Sequence, residues 1–141
     1  SSSVETCSSN NNKDYTYELD SSTNDRMISD ISYGCTGDSI NSSPSSKITR
    51  TYNSQGKLIK YQLYSYPSNA YLLISQTAYG YGSSGEKIYD QSYSIDGSGV
   101  TTETNRTEYT YDDSLYKTST LTKNSTGEIV TSYYVYTYSY R

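Results

Sequence analysis

The sequence predicts an all-β protein, an antiparallel meander of about nine long strands built from hairpin repeats of roughly 29 residues, arranged as a single-layer or spiral sheet. Three observations predict it. Tyr recurs at every second position in Glu108-Tyr109-Thr110-Tyr111 and in Tyr134-Val135-Tyr136-Thr137-Tyr138-Ser139-Tyr140, and a period of two places such side chains on one face of an extended strand. The Tyr-x-Tyr element returns at Tyr79 and Tyr81, with a partial copy at Arg50 and Tyr52, so its second ring falls at positions 52, 81, 111 and 140, spaced by 29, 30 and 29 residues. Between these copies lie short segments rich in Gly, Ser, Asn and Asp, whose backbone preferences mark tight turns.

Composition sets the physical terms of such a sheet. The chain has 141 residues, a length that suits one structural domain, and only 32% of them are hydrophobic. Mean hydropathy is -0.83. A disordered chain would also be poor in aromatic and β-branched residues, whereas this one carries 20 Tyr, with no Phe, Trp or His. Tyr combines an aromatic's contact area with a hydroxyl that tolerates water. Its use throughout predicts half-exposed rings in a thin sheet.

In chain order, residues 1–46 read as an irregular N-terminal segment and hairpin, and residues 47–141 as the Tyr-rich hairpin repeats. The Ser/Asn-rich leader ends near Lys13. Tyr15 to Leu19 alternates as a strand, turns through Asp20 to Asp25, and returns over Arg26 to Cys35. Asn41-Ser42-Ser43-Pro44-Ser45-Ser46 is predicted to be a loop, because nothing in it alternates. From there each period is two strands and two turns: Ser54-Gln55-Gly56, Pro67-Ser68-Asn69, Ser83-Ser84-Gly85, Asp96-Gly97-Ser98-Gly99, Asp113-Ser114-Leu115 and Asn124-Ser125-Thr126-Gly127. Unbroken alternation over Lys57 to Tyr66 would put Leu58, Lys60, Gln62 and Tyr64 on one face. Glu128 to Arg141 is the final strand.

Two such motifs, Tyr109-Thr110-Tyr111-Asp112-Asp113-Ser114-Leu115-Tyr116-Lys117 and Tyr52-Asn53-Ser54-Gln55-Gly56-Lys57-Leu58, resemble the YD repeats of bacterial Rhs-type surface and toxin proteins. The resemblance covers Ile48 to Arg141. It implies an extracellular β-repeat sheet of bacterial type and not an enzyme. Long arrays in that family coil into a hollow shell, which three periods are too few to close.

Several function classes are disfavoured by charge and residue inventory. A net charge of -4 and a sequence pI near 4.7 argue against nucleic acid and against adsorption on an anionic membrane, and no apolar run approaches the roughly 20 residues that membrane insertion needs. Without His, neither a zinc site nor a His-activated nucleophile is assembled from the usual ligands. No cofactor is expected. Cys7 and Cys35 are therefore read as a disulfide closing a loop of about 28 residues, an arrangement that implies an oxidising compartment; two free thiols are the alternative. A chain beginning at Ser1 fits a processed secreted protein and fits a trimmed one equally.

Other chemistries have simpler explanations. Asp112 with Asp113, or Asp90 with Asp96, has the residue type of a glycosidase pair, but Asp is also an ordinary turn former. Asp96-Gly97-Ser98-Gly99 lacks the further acids of a calcium loop. Asn41, Asn105 and Asn124 head glycosylation sequons in a chain whose Ser and Thr content supplies them by chance. Thr118, Thr120 and Thr122 form a row that strand propensity alone accounts for. The tyrosine rows remain, at Tyr109, Tyr111, Tyr134, Tyr136, Tyr138 and Tyr140. They predict an extracellular fibre, sheath or adhesive-layer subunit, a homo-oligomer or filament joined by β-edges and tyrosine faces. The alternative is a carbohydrate-binding module that stacks glycans on those rings.

Overall fold

Alternation of Tyr, Thr and aliphatic residues, interrupted by turn formers after runs of 7 to 14 residues, produces only strands and turns among the described residues. The computed structural model describes residues 13–19, 25–37, 39–115 and 117–135. It contains β1 (Lys13–Leu19), β2 (Asp25–Thr36), β3 (Ser39–Tyr52), β4 (Leu58–Ser65), β5 (Leu72–Tyr81), β6 (Lys87–Ile95), β7 (Thr101–Tyr111), β8 (Lys117–Asn124) and β9 (Ile129–Val135). They follow one another in sequence order as a nine-stranded antiparallel meander that does not close. Two compact units divide it, Ser1–Ile74 and Ser75–Arg141.

The turns repeat one design. In the turn after β3, the Gly56 N–H donates to the Asn53 carbonyl at 2.9 Å while the Asn53 N–H donates to the Lys57 carbonyl at 2.9 Å. The same pair of bonds recurs with Gly82, Asp96 and Asn124 as the first residue. Where that residue is Asn or Asp, its Oδ1 accepts further backbone N–H groups: from Gln55 and Lys57 at Asn53, from Ser98 and Val100 at Asp96, and from Thr126 and Glu128 at Asn124. The fourth residue sits in the left-handed region and is Gly56, Gly85, Gly99 or Gly127, with φ between 78° and 85°. In the turn after β7 that seat is held by Leu115, at φ 62°, where an L side chain crowds the following carbonyl.

Beside the turns after β3, β5 and β7 the register slips by one residue, between Thr51 and Tyr52, Gly80 and Tyr81, and Thr110 and Tyr111. Each slip leaves one unpaired residue on the returning strand: Ile59, Ile88 and Thr118. These bulges overturn the unbroken alternation expected for 57–66. Leu58 lies opposite Tyr52 and Lys60 opposite Thr51, so the two fall on opposite faces. They break the threonine row as well. Thr120 and Thr122 pair with Tyr109 and Thr107, whereas the extra residue Thr118 brings its hydroxyl 3.1 Å from that of Thr110.

The loop expected at 41–46 is instead the first part of β3. Composition misled here because a ladder is held by backbone groups that Ser and Asn possess like any residue. Side chains add local bonds, Thr36 Oγ1 to Asn41 Oδ1 at 2.8 Å and Ser45 Oγ to the Ser32 carbonyl at 3.0 Å. Pro44, which has no N–H to donate, lies opposite Tyr33 between two register irregularities, a place that tolerates it.

No hydrophobic side chain among the described residues is buried, whereas Asp30 and Gln91 are, at 5% and 2% exposure. Gln91 lies in β6, and its side-chain amide donates to the Asn105 carbonyl of β7 at 2.9 Å. The described strand interiors are mostly half-buried on both faces. In such a sheet the ladder and cross-strand pairs carry much of what a core would, each pair contributing about 0.2–1 kcal/mol.

Candidate functional site

In the second unit the ladder places Tyr79 opposite Asp90, Asp90 opposite Thr107, and Tyr109 two residues on from Thr107. These residues share one face. The bulge at Ile88 swings Lys87 onto that face too, opposite Tyr81. Its ammonium lies 2.9 Å from Asp90 Oδ2, 4.5 Å from the centre of the Tyr109 ring and 5.7 Å from that of Tyr79. The Tyr109 hydroxyl donates to Asp90 Oδ2 at 2.7 Å, and the Lys117 ammonium lies 5.4 Å from the Tyr109 ring centre. The Tyr111 hydroxyl donates to the Lys87 carbonyl at 2.8 Å. The ladder is thus a knot of phenols threaded by two ammonium groups.

Electrostatics follow from that packing. Burial by itself would lower the Lys87 ammonium, but its hydrogen bonds to Asp90 and Tyr109, with the Asp90 charge, prevail and hold it above its ordinary value. Burial, then the bond to Asp90, pushes the Tyr109 phenol up, against the opposing pull of Lys87. Both groups keep their protons at neutral pH.

The first unit repeats the scheme with different residues, Met27 in the place of Lys87 and Leu58 in that of Lys117. Asp30 stands on β2 as Asp90 does on β6, but Arg50 occupies the place of Tyr109, its Nη1 2.8 Å from Asp30 Oδ2. The Arg50 guanidinium lies 5.6 Å from the Tyr61 ring centre. The Tyr52 hydroxyl donates to the Met27 carbonyl at 3.2 Å, as Tyr111 does to Lys87.

The opposite face of the second unit carries a charged ridge. Arg106 Nε and Lys123 Nζ reach the two oxygens of Glu108 at 2.9 and 2.8 Å. The Lys123 bond, then the Arg106 bond, holds the Glu108 carboxyl below its ordinary value. Arg106 also covers the Tyr89 ring at 4.3 Å, and that ring lies across Gly80, where an added Cβ would come within 2.0 Å of it. Any side chain at that position has to displace the ring.

The structure thus brings Tyr109 and Tyr111 together and engages both hydroxyls internally. The backbone of Tyr134 pairs with Thr120, while Tyr136, Tyr138 and Tyr140 lie outside the described residues. Cys35, near the end of β2 and opposite Ile40, is not a free thiol; Cys7 lies outside the described residues. Asp96 and Asp112 cap their own turns, and a hydroxyl from Ser98 is the leading cause that lowers the Asp96 carboxyl. Sequence reasoning missed Asp30, Arg50, Lys87 and Glu108, which look like isolated surface charges. The signal available was their position relative to the Tyr-x-Tyr period.

The two outermost strands present apolar surface. On β9, Ile129 and Val130 are 64% and 51% exposed, and on β1 the Tyr15 and Tyr17 rings are exposed. β1 and β9 each have a single strand neighbour among the described strands.

No family model and no curated protein matches the chain. Among solved structures it is similar to a protein of unknown function from Bacteroides fragilis NCTC 9343, with a TM-score of 0.60 at 14% identity, covering 92% of this chain and 96% of that one. It also matches DUF3836 family proteins from Bacteroides vulgatus ATCC 8482 (TM-score 0.46, 11% identity, 61% of this chain and 89% of that one) and Parabacteroides distasonis ATCC 8503 (TM-score 0.43, 18% identity, 61% and 78%). The first of these likenesses establishes a shared β fold.

Proposed function

We propose that the chain is an extracellular structural protein, the subunit of a bacterial surface fibre, sheath or adhesive layer, with no enzymatic activity of its own. Kinship with the YD repeats and a Cys7–Cys35 bridge belong to the same proposal. The observation that carries it is the placement of exposed apolar side chains, Ile129 and Val130 on β9 and Tyr15 and Tyr17 on β1, on the two strands with one described neighbour each. Unpaired strand edges that carry apolar residues template pairing with another chain. A β9 edge laid against the β1 edge of another copy extends the meander by the rule that built it, and an open head-to-tail contact of this kind propagates.

Negative-stain electron microscopy of the non-reduced protein, with light scattering over a concentration series, tests the reading. Filaments that lengthen with concentration support it. Monomers at every concentration overturn it. The alternative is a carbohydrate-binding module. Sequence alone points to Tyr109, Tyr111 and the row from Tyr134 to Tyr140 for it, but the Tyr109 and Tyr111 hydroxyls are engaged internally. Such a module therefore draws on the exposed rings of Tyr15 and Tyr17, two positions apart on one strand. It requires a monomer whose Tyr fluorescence changes on adding glycans, and loss of that response in Tyr15→Ala.

A further inference from the structure

The turn after β4 gathers three phenols. Tyr64 stands in β4, Tyr66 follows its end and Tyr71 precedes β5, with Pro67-Ser68-Asn69-Ala70 between them. Asn69 takes the left-handed conformation, φ 59°, that reverses the chain. The Tyr66 and Tyr71 ring centres are 4.9 Å apart with planes at 60°, and Tyr64 approaches Tyr71 at 6.4 Å and 76°. Tyr71 is 37% exposed, so the cluster is open to solvent and to small oxidants. Burial, and then the neighbouring Tyr66, raises the Tyr71 phenol, and it is neutral under ordinary conditions.

The chain also lacks competing sinks for a one-electron oxidant. It contains no Trp, no His and a single Met, and no cysteine among the described residues is free. Oxidising equivalents delivered to this protein therefore settle on Tyr, and two rings already in contact need no diffusion to react.

We propose that Tyr66 and Tyr71 are an oxidative coupling site, joined as a dityrosine when hydrogen peroxide acts through a haem peroxidase. Each phenol gives up one electron and its hydroxyl proton to become a phenoxyl radical, with spin density at the ring carbons beside the oxygen. One such carbon of Tyr66 bonds to one of Tyr71. Each coupled carbon then loses its hydrogen to restore the aromatic ring, and both hydroxyls are regenerated. The protein loses two hydrogen atoms in total, and the peroxide, accepting two electrons and two protons, leaves as two waters. The twisted biaryl product needs ring centres only slightly closer than they already stand. The link ties the end of β4 to the start of β5 by a covalent bond that neither reduction nor denaturant breaks.

The test treats the full chain with peroxidase and limiting peroxide, followed by trypsin and tandem mass spectrometry. Tyr66 and Tyr71 share the tryptic peptide 61–87. The expected product is that peptide lighter by two hydrogens, with no backbone fragments from cleavage between residues 66 and 71 and with dityrosine fluorescence. Tyr71→Phe abolishes it and Tyr15→Phe leaves it intact. In strong denaturant the yield falls to that of other tyrosine pairs, since the folded turn supplies the approach. Persistence of the product in Tyr71→Phe, equal yield in denaturant, or coupling that appears only as covalent dimers overturns the assignment.

Discussion

Replacing Leu115 by Gly should leave stability nearly unchanged, an uncommon outcome for a large-to-small substitution. Leu115 occupies the turn seat that Gly56, Gly85, Gly99 and Gly127 hold elsewhere, at φ 62°. A left-handed L residue costs about 1–2 kcal/mol. Its side chain is 49% exposed, so truncation gives up about half of a Leu side chain's burial energy, roughly 0.8–1.5 kcal/mol. The greater freedom of an unfolded Gly opposes the gain by about 0.5–1 kcal/mol. The three contributions nearly cancel, leaving a change within about 0.5 kcal/mol of zero. The reciprocal change isolates the backbone contribution, because a Cβ at Gly127 meets nothing within 4 Å while its φ is 84°. Gly127→Ala should therefore destabilise by about 1 kcal/mol or somewhat more. Both sites lie in the unit Ser75–Arg141, so one urea transition reads both. With an m value of about 2 kcal/mol/M, Leu115→Gly moves the midpoint by no more than roughly 0.3 M and Gly127→Ala lowers it by about 0.5 M, with m unchanged. A midpoint lowered by about 0.5 M or more for Leu115→Gly, or an unchanged one for Gly127→Ala, would refute the backbone argument.

Arg50→Met leaves the Asp30 carboxylate, at 5% exposure, without its guanidinium, and equilibrium unfolding should show a loss of about 3 kcal/mol, the order found when a buried pair is broken from one side. Gly80→Ala should expel the Tyr89 ring from its seat and lower stability by about 1 kcal/mol, while in a Tyr89→Ala background the same change becomes neutral or stabilising; a double-mutant cycle measures the coupling. Glu108 has a folded pKa below its ordinary 4.5, so its contribution is complete above that value and disappears as pH falls through the depressed one. Urea midpoints across acid pH should therefore drop more steeply for the wild type than for Glu108→Gln.

The backbone plan was legible because each signal was local. Tyr79, Tyr81, Tyr109 and Tyr111 announce strands by their alternation, and Gly56, Gly85, Gly99 and Gly127 announce turns by a conformation few other residues accept. Serine-rich 41–46 was misread as a loop, since its pairing comes from the partner strand β2 and leaves no trace in its own composition. The bulges at Ile59, Ile88 and Thr118 were equally hidden. A one-residue slip is imposed by how a tight turn feeds the returning strand, and it changes which side chains share a face without changing the alternation that a reader counts. For that reason Tyr109 and Tyr111 could be marked as important, but their partners could not. Lys87 reaches Asp90 and two rings only once the bulge has turned it over. Asp30 and Arg50, 20 residues apart, meet through a register that only the paired strands define.

The absence of buried aliphatic side chains among the described residues has a thermal consequence. The heat-capacity increment of unfolding comes from apolar surface newly exposed to water, and polar surface subtracts from it. A sheet whose rings and aliphatic stems are already half-wetted when folded exposes little more on melting. Its increment per residue should fall below the usual 12–15 cal/mol/K or so, and the stability curve should be correspondingly flat. Cooling then weakens this protein less than it weakens one built on an oily interior, and calorimetry would show a broad, shallow dome in place of a narrow optimum.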